Sequence, residues 1–365
     1  MRLLFIIRAV PDVERFAAIA PHLAGHEVML VDVSAGDPLD APLHLEILRE
    51  EGCSPKPWWE MLGFDLPISR PATMRDARRL LRVLAPDIVM LDQFGPTCAP
   101  AVVACRDAAL DLGICCCMIP HGVRVLDPVA DQSPRRRSAR QADVTFFTSR
   151  AHFTQAAHFL APVGVQYGIL GDPRFDLGHL RRLQCVALKR GDNLTSSSGL
   201  AYFGSRLPTA ILDRLQHCGT HAPEYAFLND LRHHWPRLEI RRHPRAKPMD
   251  GSQSAALESI AISTRATAAA ALASGAVLEA IALGKPALVL DIEALLPGWR
   301  SIFTAHSEPF KSSGRLPLRQ VREQGEYLLR EYAWGGRAPD DVARHYAECI
   351  QSLAGRNRHP ALRST

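Results

Sequence analysis

Asp87–Gly122 reads DIVMLDQFGPTCAPAVVACRDAALDLGICCCMIPHG. Asp87 to Leu91 and Ile114 to Ile119 are short runs that are almost wholly apolar, and Ala99 to Asp111 between them has helical periodicity. Strand, helix, strand in that spacing is a βαβ unit and predicts a parallel sheet. Strands without polar alternation are buried on both faces, so helices are expected on both sides of the sheet.

The same rhythm extends outward. Upstream, Leu3 to Ile7 reads as a strand, Asp12 as the cap of a helix carrying Phe16, Ile19 and Leu23, Glu27 to Val33 as the next strand, and Met74 to Leu84 as a helix. Downstream, Val144 to Thr148 is a strand and Arg150 to Leu160 a helix. Asp172 to Ser198 is polar, with Gly178, Gly191 and a Thr-Ser-Ser-Ser run, and reads as a linker. A second series follows: strands at Leu200 to Phe203 and Leu238 to Arg241 around a helix from Pro223 to His234, a strand at Ala287 to Asp291, and a closing helix at Ala338 to Leu353. Two Rossmann-like α/β domains are expected, residues 1–172 and 173–365.

Composition narrows the class. The 365 residues are 47% hydrophobic and 22% charged, with 43 Lys and Arg against 38 Asp and Glu for a formal charge of +5. That apolar content offsets the entropy of ordering and excludes a disordered chain. Nine cysteines, three of them consecutive at Cys115 to Cys117, do not make a disulfide framework and point to a reducing, cytoplasmic setting. The opening apolar run is broken at Arg8, too soon for a secretory signal. No G-x-G-x-x-G follows a strand, and there is no Walker A, H-E-x-x-H, C-x-x-C, G-x-S-x-G or D-x-D. Dinucleotide oxidoreductases, P-loop NTPases, zincins and common α/β-hydrolases lose their signatures. No metal site is expected.

Chemistry concentrates in a few places. Ser274-Gly275 opens a helix that ends at Gly284, before the strand ALVLD. Free N–H groups at such a start suit a phosphate, and Glu279 within the helix suits a ribose diol; the plainer reading is a capped core helix. Arg242-His243-Pro244-Arg245 follows a strand, where α/β sheets hold ligands, and its arginines favour an anion. His121-Gly122 ends the strand ICCCMI in the same way, and a strand-end histidine suits a general base. The basic clusters Arg135-Arg136-Arg137 with Arg140, and Arg78, Arg79 and Arg82, read as solvated surface or as contacts to an anionic glycan or the inner leaflet of a membrane. They lack the interleaved aromatics of a nucleic-acid site, so no nucleic-acid partner is expected.

The order His121-Gly122, Gly171-x-Pro173-Arg174-x-Asp176, His243-Pro244, then S-G-x-x-x-E-A-x-x-x-G-K-P from Ser274, resembles the GT-B nucleotide-dependent transferases of bacterial surface polysaccharide assembly. That grouping includes CDP-glycerol glycerophosphotransferases of teichoic acid synthesis and glycosyltransferases of capsule and lipopolysaccharide. The C-terminal element is also similar to non-hydrolysing UDP-N-acetylglucosamine 2-epimerases. The resemblance implies a GT-B-like fold with two domains across a cleft, an N-terminal acceptor side and a C-terminal donor side. It implies His121 as the base, Arg174, Asp176 and Arg242 on substrate, and His243, Ser274, Gly275 and Glu279 on the donor. The donor is a nucleotide-activated co-substrate, cytidine ahead of uridine, with no separate cofactor, and the acceptor is a glycan or lipid-linked glycan. A sugar-nucleotide epimerase and a non-catalytic polysaccharide-assembly protein are the alternatives. Family members carry a strand before Ser-Gly, whereas Thr264 to Ala273 reads here as an Ala-rich helix.

Overall fold

The computed structural model describes residues 1–34, 39–68, 72–93, 99–123, 125–128, 142–160, 164–192, 194, 199–204, 212–214, 216, 223–241, 259–311, 316–321 and 325–357. The chain divides into two compact units: Met1–Gly122 with Pro134–His179 and Tyr332–Thr365, and Val123–Ser133 with Leu180–Glu331. It passes into the second unit after His179 and returns at Tyr332, so neither unit is one uninterrupted run of sequence.

In chain order the elements are β1 (Arg2–Ile7), α1 (Val10–Ile19), β2 (Glu27–Asp32), α2 (Pro42–Glu50), β3 (Lys56–Pro57), α3 (Trp58–Met61), α4 (Met74–Leu84), β4 (Ile88–Asp92), α5 (Pro100–Asp111) and β5 (Cys115–Ile119). Then come β6 (Leu126–Pro128), β7 (Val144–Phe147), α6 (Arg150–Leu160), β8 (Gln166–Ile169) and α7 (Leu177–Lys189). The second series is β9 (Leu200–Phe203), α8 (Pro223–His234), β10 (Leu238–Arg241), α9 (Ser259–Arg265), β11 (Ala268–Ala271), α10 (Val277–Ala282), β12 (Ala287–Leu290) and α11 (Ile292–Leu295). The chain ends with β13 (Trp299–Ser301), β14 (Ser307–Phe310), β15 (Leu318–Val321), α12 (Glu326–Tyr332) and α13 (Val342–Asn357).

The first unit holds a seven-stranded sheet in the order β3-β2-β1-β4-β5-β7-β8, parallel at every pairing. Its strand order reverses between β1 and β4, and α/β sheets bind ligands outside the carboxyl ends of the strands at such a switch point. The central strands are buried on both faces, including all three consecutive cysteines of β5. The second unit holds a six-stranded sheet, β10-β9-β11-β12-β15-β14, parallel from β10 to β12 and antiparallel beyond, with a separate β6–β13 pair. Its order reverses between β9 and β11. The fold class is as expected: mixed α/β with two Rossmann-like sheets.

Local expectations fail instructively in two segments. Thr264 to Ala273 is not an Ala-rich helix: Ala268–Ala271 is β11, paired on both sides with β9 and β12. Alanine has the best intrinsic helix propensity, but propensity is a weak prior that two sheet neighbours override. All four side chains are fully or almost fully buried, and α10 packs on the strand. The strand that the resembling family carries before Ser274 is therefore present here too. Asp172 to Ser198 is also more than a linker. A short 3-10 turn at Pro173–Phe175 leads into thirteen-residue α7, whose buried Leu180, Leu183, Val186 and Ala187 form a helical stripe hidden among arginines.

Candidate functional site

The first sheet gathers three charged or titratable side chains at the carboxyl ends of its central strands. Arg8 follows β1, Asp92 is the last residue of β4, and His121 lies two residues beyond β5. The Asp92 carboxylate is 1% exposed, and its Oδ2 accepts from Arg8 Nη2 at 2.7 Å and from His121 Nδ1 at 2.8 Å. The histidine is the open member, with 39% of its side chain exposed. Engaging Nδ1 with a buried carboxylate fixes the ring plane and the tautomer, and makes Nε2 the nitrogen that takes a proton. Arg8 Nη2 also lies 3.4 Å from Nδ1, so the carboxylate is shared between a fixed cation and the imidazole.

Behind this trio lies Asp12, at the third position of α1 and fully buried. Its Oδ2 accepts the N–H groups of Arg8 at 2.9 Å and Ala9 at 3.0 Å, so Asp12 reaches back to the helix start and Ala9, not Asp12, occupies the cap position. Burial, and then the nearby negative charge of Asp92, push the Asp12 carboxyl up to about 6, against the opposing pull of Arg15 and Arg8.

The substrate residues implied by the Gly-x-Pro-Arg-x-Asp motif have other engagements. Asp176 is 2% exposed; its Oδ1 accepts the His179 N–H at 3.0 Å in the first turn of α7, and its Oδ2 accepts the Ala343 N–H at 3.1 Å at the start of α13. Both oxygens thus satisfy orphan donors at helix starts. Burial raises its carboxyl above the ordinary value against those two hydrogen bonds. Arg174 donates to Glu14 at 2.8 Å, and its guanidinium lies 4.5 Å over the Phe175 ring. Both side chains are thus engaged within the first unit, and neither joins His121.

In the second unit, β11 runs into Ser274 and Gly275, both half-buried, beside the point where its strand order reverses. Ser274 Oγ accepts the Ala276 N–H at 3.3 Å and shapes the turn into α10. Glu279 lies in the first turn of that six-residue helix and is 4% exposed. Arg242 and His243, like Arg135, Arg136, Arg137 and Arg140, lie outside the described residues. Arg8 and Asp92 are the site residues that motif reading missed. Their signal is a charge placed directly at the end of an apolar strand. Among the described residues no group of three or more His, Cys, Asp or Glu is arranged to hold a metal ion, and no helix is long and apolar enough to cross a membrane.

No protein-family model matches the chain, and no curated protein matches it. Solved structures do. The wall teichoic acid polymerase TagF, in a variant form, aligns over 98% of this chain and 90% of its own with a TM-score of 0.54 at 8% identity. The UDP-GlcNAc 2-epimerase of Methanocaldococcus jannaschii aligns over 96% of this chain and 100% of its own with a TM-score of 0.52 at 11% identity. A second UDP-N-acetylglucosamine 2-epimerase gives 0.52 at 13% identity over 98% of both chains. At such identities the likeness is one of fold, and that fold is of the GT-B type.

Proposed function

We propose that this chain is a GT-B transferase that moves a sugar or alditol phosphate from a nucleotide-activated donor to a surface-glycan acceptor. The observation that carries the reading is the Arg8–Asp92–His121 cluster at the switch point of the first sheet, with Asp92 Oδ2 2.8 Å from His121 Nδ1. In this reading His121 Nε2 takes the proton of the acceptor hydroxyl, and Asp92 holds the ring and stabilises the imidazolium that forms. Arg8 offsets the charge of Asp92 before that proton arrives. The donor falls to the second unit, with Ser274 and Gly275 toward its phosphates and Glu279 toward its ribose. A cytidine nucleotide is put ahead of uridine on the His243-Pro244 resemblance. Proton transfer by His121 and phosphate neutralisation by His243 need no metal, so turnover is expected to survive EDTA.

Membrane contact at the inner face is assigned to α4, which presents exposed Arg75, Arg78, Arg79 and Arg82 beside exposed Val83. Arg78 pairs with Asp111, and Arg79 lies 5.5 Å over the half-exposed Phe64 ring. Arginines flanked by apolar side chains suit an anionic leaflet.

Thermal-shift screening with CMP, CDP, UDP and GDP is the first test, because a ligand that binds only the native state raises its stability. A shift with a nucleotide and an acceptor-dependent release of that nucleotide are the expected results. Two of the structures that share the fold are UDP-GlcNAc 2-epimerases. Conversion of a free UDP-sugar without acceptor would move the chain to that reading.

A further inference from the structure

Arg15 is 0% exposed on α1, an expensive place for a guanidinium. Its surroundings offset that cost. Nε lies 3.3 Å from Asp172 Oδ1, Nη1 donates to the Pro11 carbonyl at 2.9 Å and lies 3.9 Å from Asp12 Oδ1, and Nη2 donates to the carbonyl of His121. Asp172 is equally buried and is itself fixed: its N–H donates to the Ala333 carbonyl at 2.6 Å, and its Oδ1 also accepts the Arg174 N–H at 3.2 Å.

The segment carrying Asp172 is pinned by the returning C-terminal chain. Tyr346 donates to the Gly171 carbonyl at 2.8 Å and Trp334 Nε1 to the Phe175 carbonyl at 2.9 Å. Gly171 has φ +93°, and a Cβ there would come within 2.7 Å of the Ala333 carbonyl, so the close approach requires glycine. Gly122, at φ +154°, is the counterpart on the other side, since a Cβ there would lie 3.1 Å from Arg15 Nη2.

We propose that Arg15, seated on Asp172, is a positioning residue for His121. A buried ion pair is a poor stability device, because well-packed apolar replacements are often as stable or more so. What this one adds is a fixed donor aimed at the backbone of the residue whose ring Asp92 orients. Held at its carbonyl by Arg15 and at Nδ1 by Asp92, His121 is constrained from two sides. Asp172, with Gly171 held beside it, thereby acts on the reaction as the foundation of the base, without touching substrate. This assignment rests on the reading of His121 as the base, and the experiment separates the two.

The test uses the full chain with Arg15→Met, Arg15→Lys, Asp172→Asn and His121→Ala, and Arg15→Met combined with His121→Ala. The His121 Cε1–Hε1 NMR cross-peak, assigned by its loss in His121→Ala, reports the ring without any turnover. It is expected to move or broaden in Arg15→Met and Asp172→Asn and to return toward its original position in Arg15→Lys. Turnover should fall about a hundredfold in Arg15→Met, with CDP and UDP affinity within about twofold of the parent. In the His121→Ala background, Arg15→Met should cost nothing more, because it acts only through His121. An unmoved cross-peak in folded Arg15→Met or Asp172→Asn overturns the positioning role, as does a further loss in the double variant. If the peak moves but His121→Ala keeps full turnover, positioning stands and the reading of His121 as base falls. Should Arg15→Met not fold, Asp172→Asn decides by the same peak.

Discussion

The two sheets end differently at their switch points. In the first unit, strands end in side chains that carry charge or protons: Arg8 after β1, Asp92 at the end of β4, His121 after β5. In the second, β11 is four alanines followed by Leu272, Ala273, Ser274 and Gly275, with Glu279 the nearest acid along the chain. In the proposed reading this contrast divides the labour: the charged strand ends of the first sheet, interlocked by hydrogen bonds, hold proton chemistry in place, while the small end of β11 lets backbone N–H groups approach a bulky anion.

The largest expected effect falls on the first unit. His121→Ala should lower turnover about a thousandfold, within the usual range for a general base, and leave nucleotide affinity intact by isothermal titration. If nucleotide binding disappears instead, the division between the sheets collapses, because the donor then sits at the charged strand ends.

A pH experiment sharpens what charge at those ends costs. The native Asp12 carboxyl, pushed up to about 6, holds its proton more tightly than in the unfolded chain, where about 3.9 is normal. The folded state therefore binds the extra proton between those values, and stability falls as pH rises through them. Asp12→Asn keeps an acceptor for Arg8 and Ala9 but does not titrate. Urea unfolding of both proteins should show the parent losing about 2 kcal/mol relative to Asp12→Asn between pH 4 and 7. A constant difference would mean that Asp12 does not feel Asp92 and its burial.

Asp176 tests whether the motif that joins α7 to α13 is structural. Loss of its two backbone contacts in Asp176→Ala should cost about 2 kcal/mol of folding stability and leave turnover per folded molecule unchanged. Unchanged stability with lost turnover would return Asp176 to the substrate.

The smallest effect belongs to the second unit. Glu279→Ala should weaken nucleotide binding about tenfold, the loss of one charge-assisted contact, with turnover at saturating donor nearly unchanged. A loss of turnover at saturation would put the Glu279 carboxylate in the chemistry and erase the contrast.

Much of the fold was legible because its signals are local. Apolar runs of strand length, helical stripes such as Met74–Leu84 and turns at glycine are read within a window of ten residues, and α4, α6, α8, β9 and β10 fall where periodicity puts them. The misreadings share one cause. Ala268–Ala271 and Leu177–Lys189 carry weak or masked local patterns, and their state was decided by the neighbours they pack against. Of the candidate site, the sequence by itself determined that His121 ends an apolar strand. Its partners were decided by tertiary structure, because Asp92 lies 29 residues before it and Arg8 a further 84. No periodicity spans such gaps. Only the parallel order β1-β4-β5 brings those three strand ends side by side, and only burial at that edge makes a carboxylate choose a guanidinium and an imidazole as its partners.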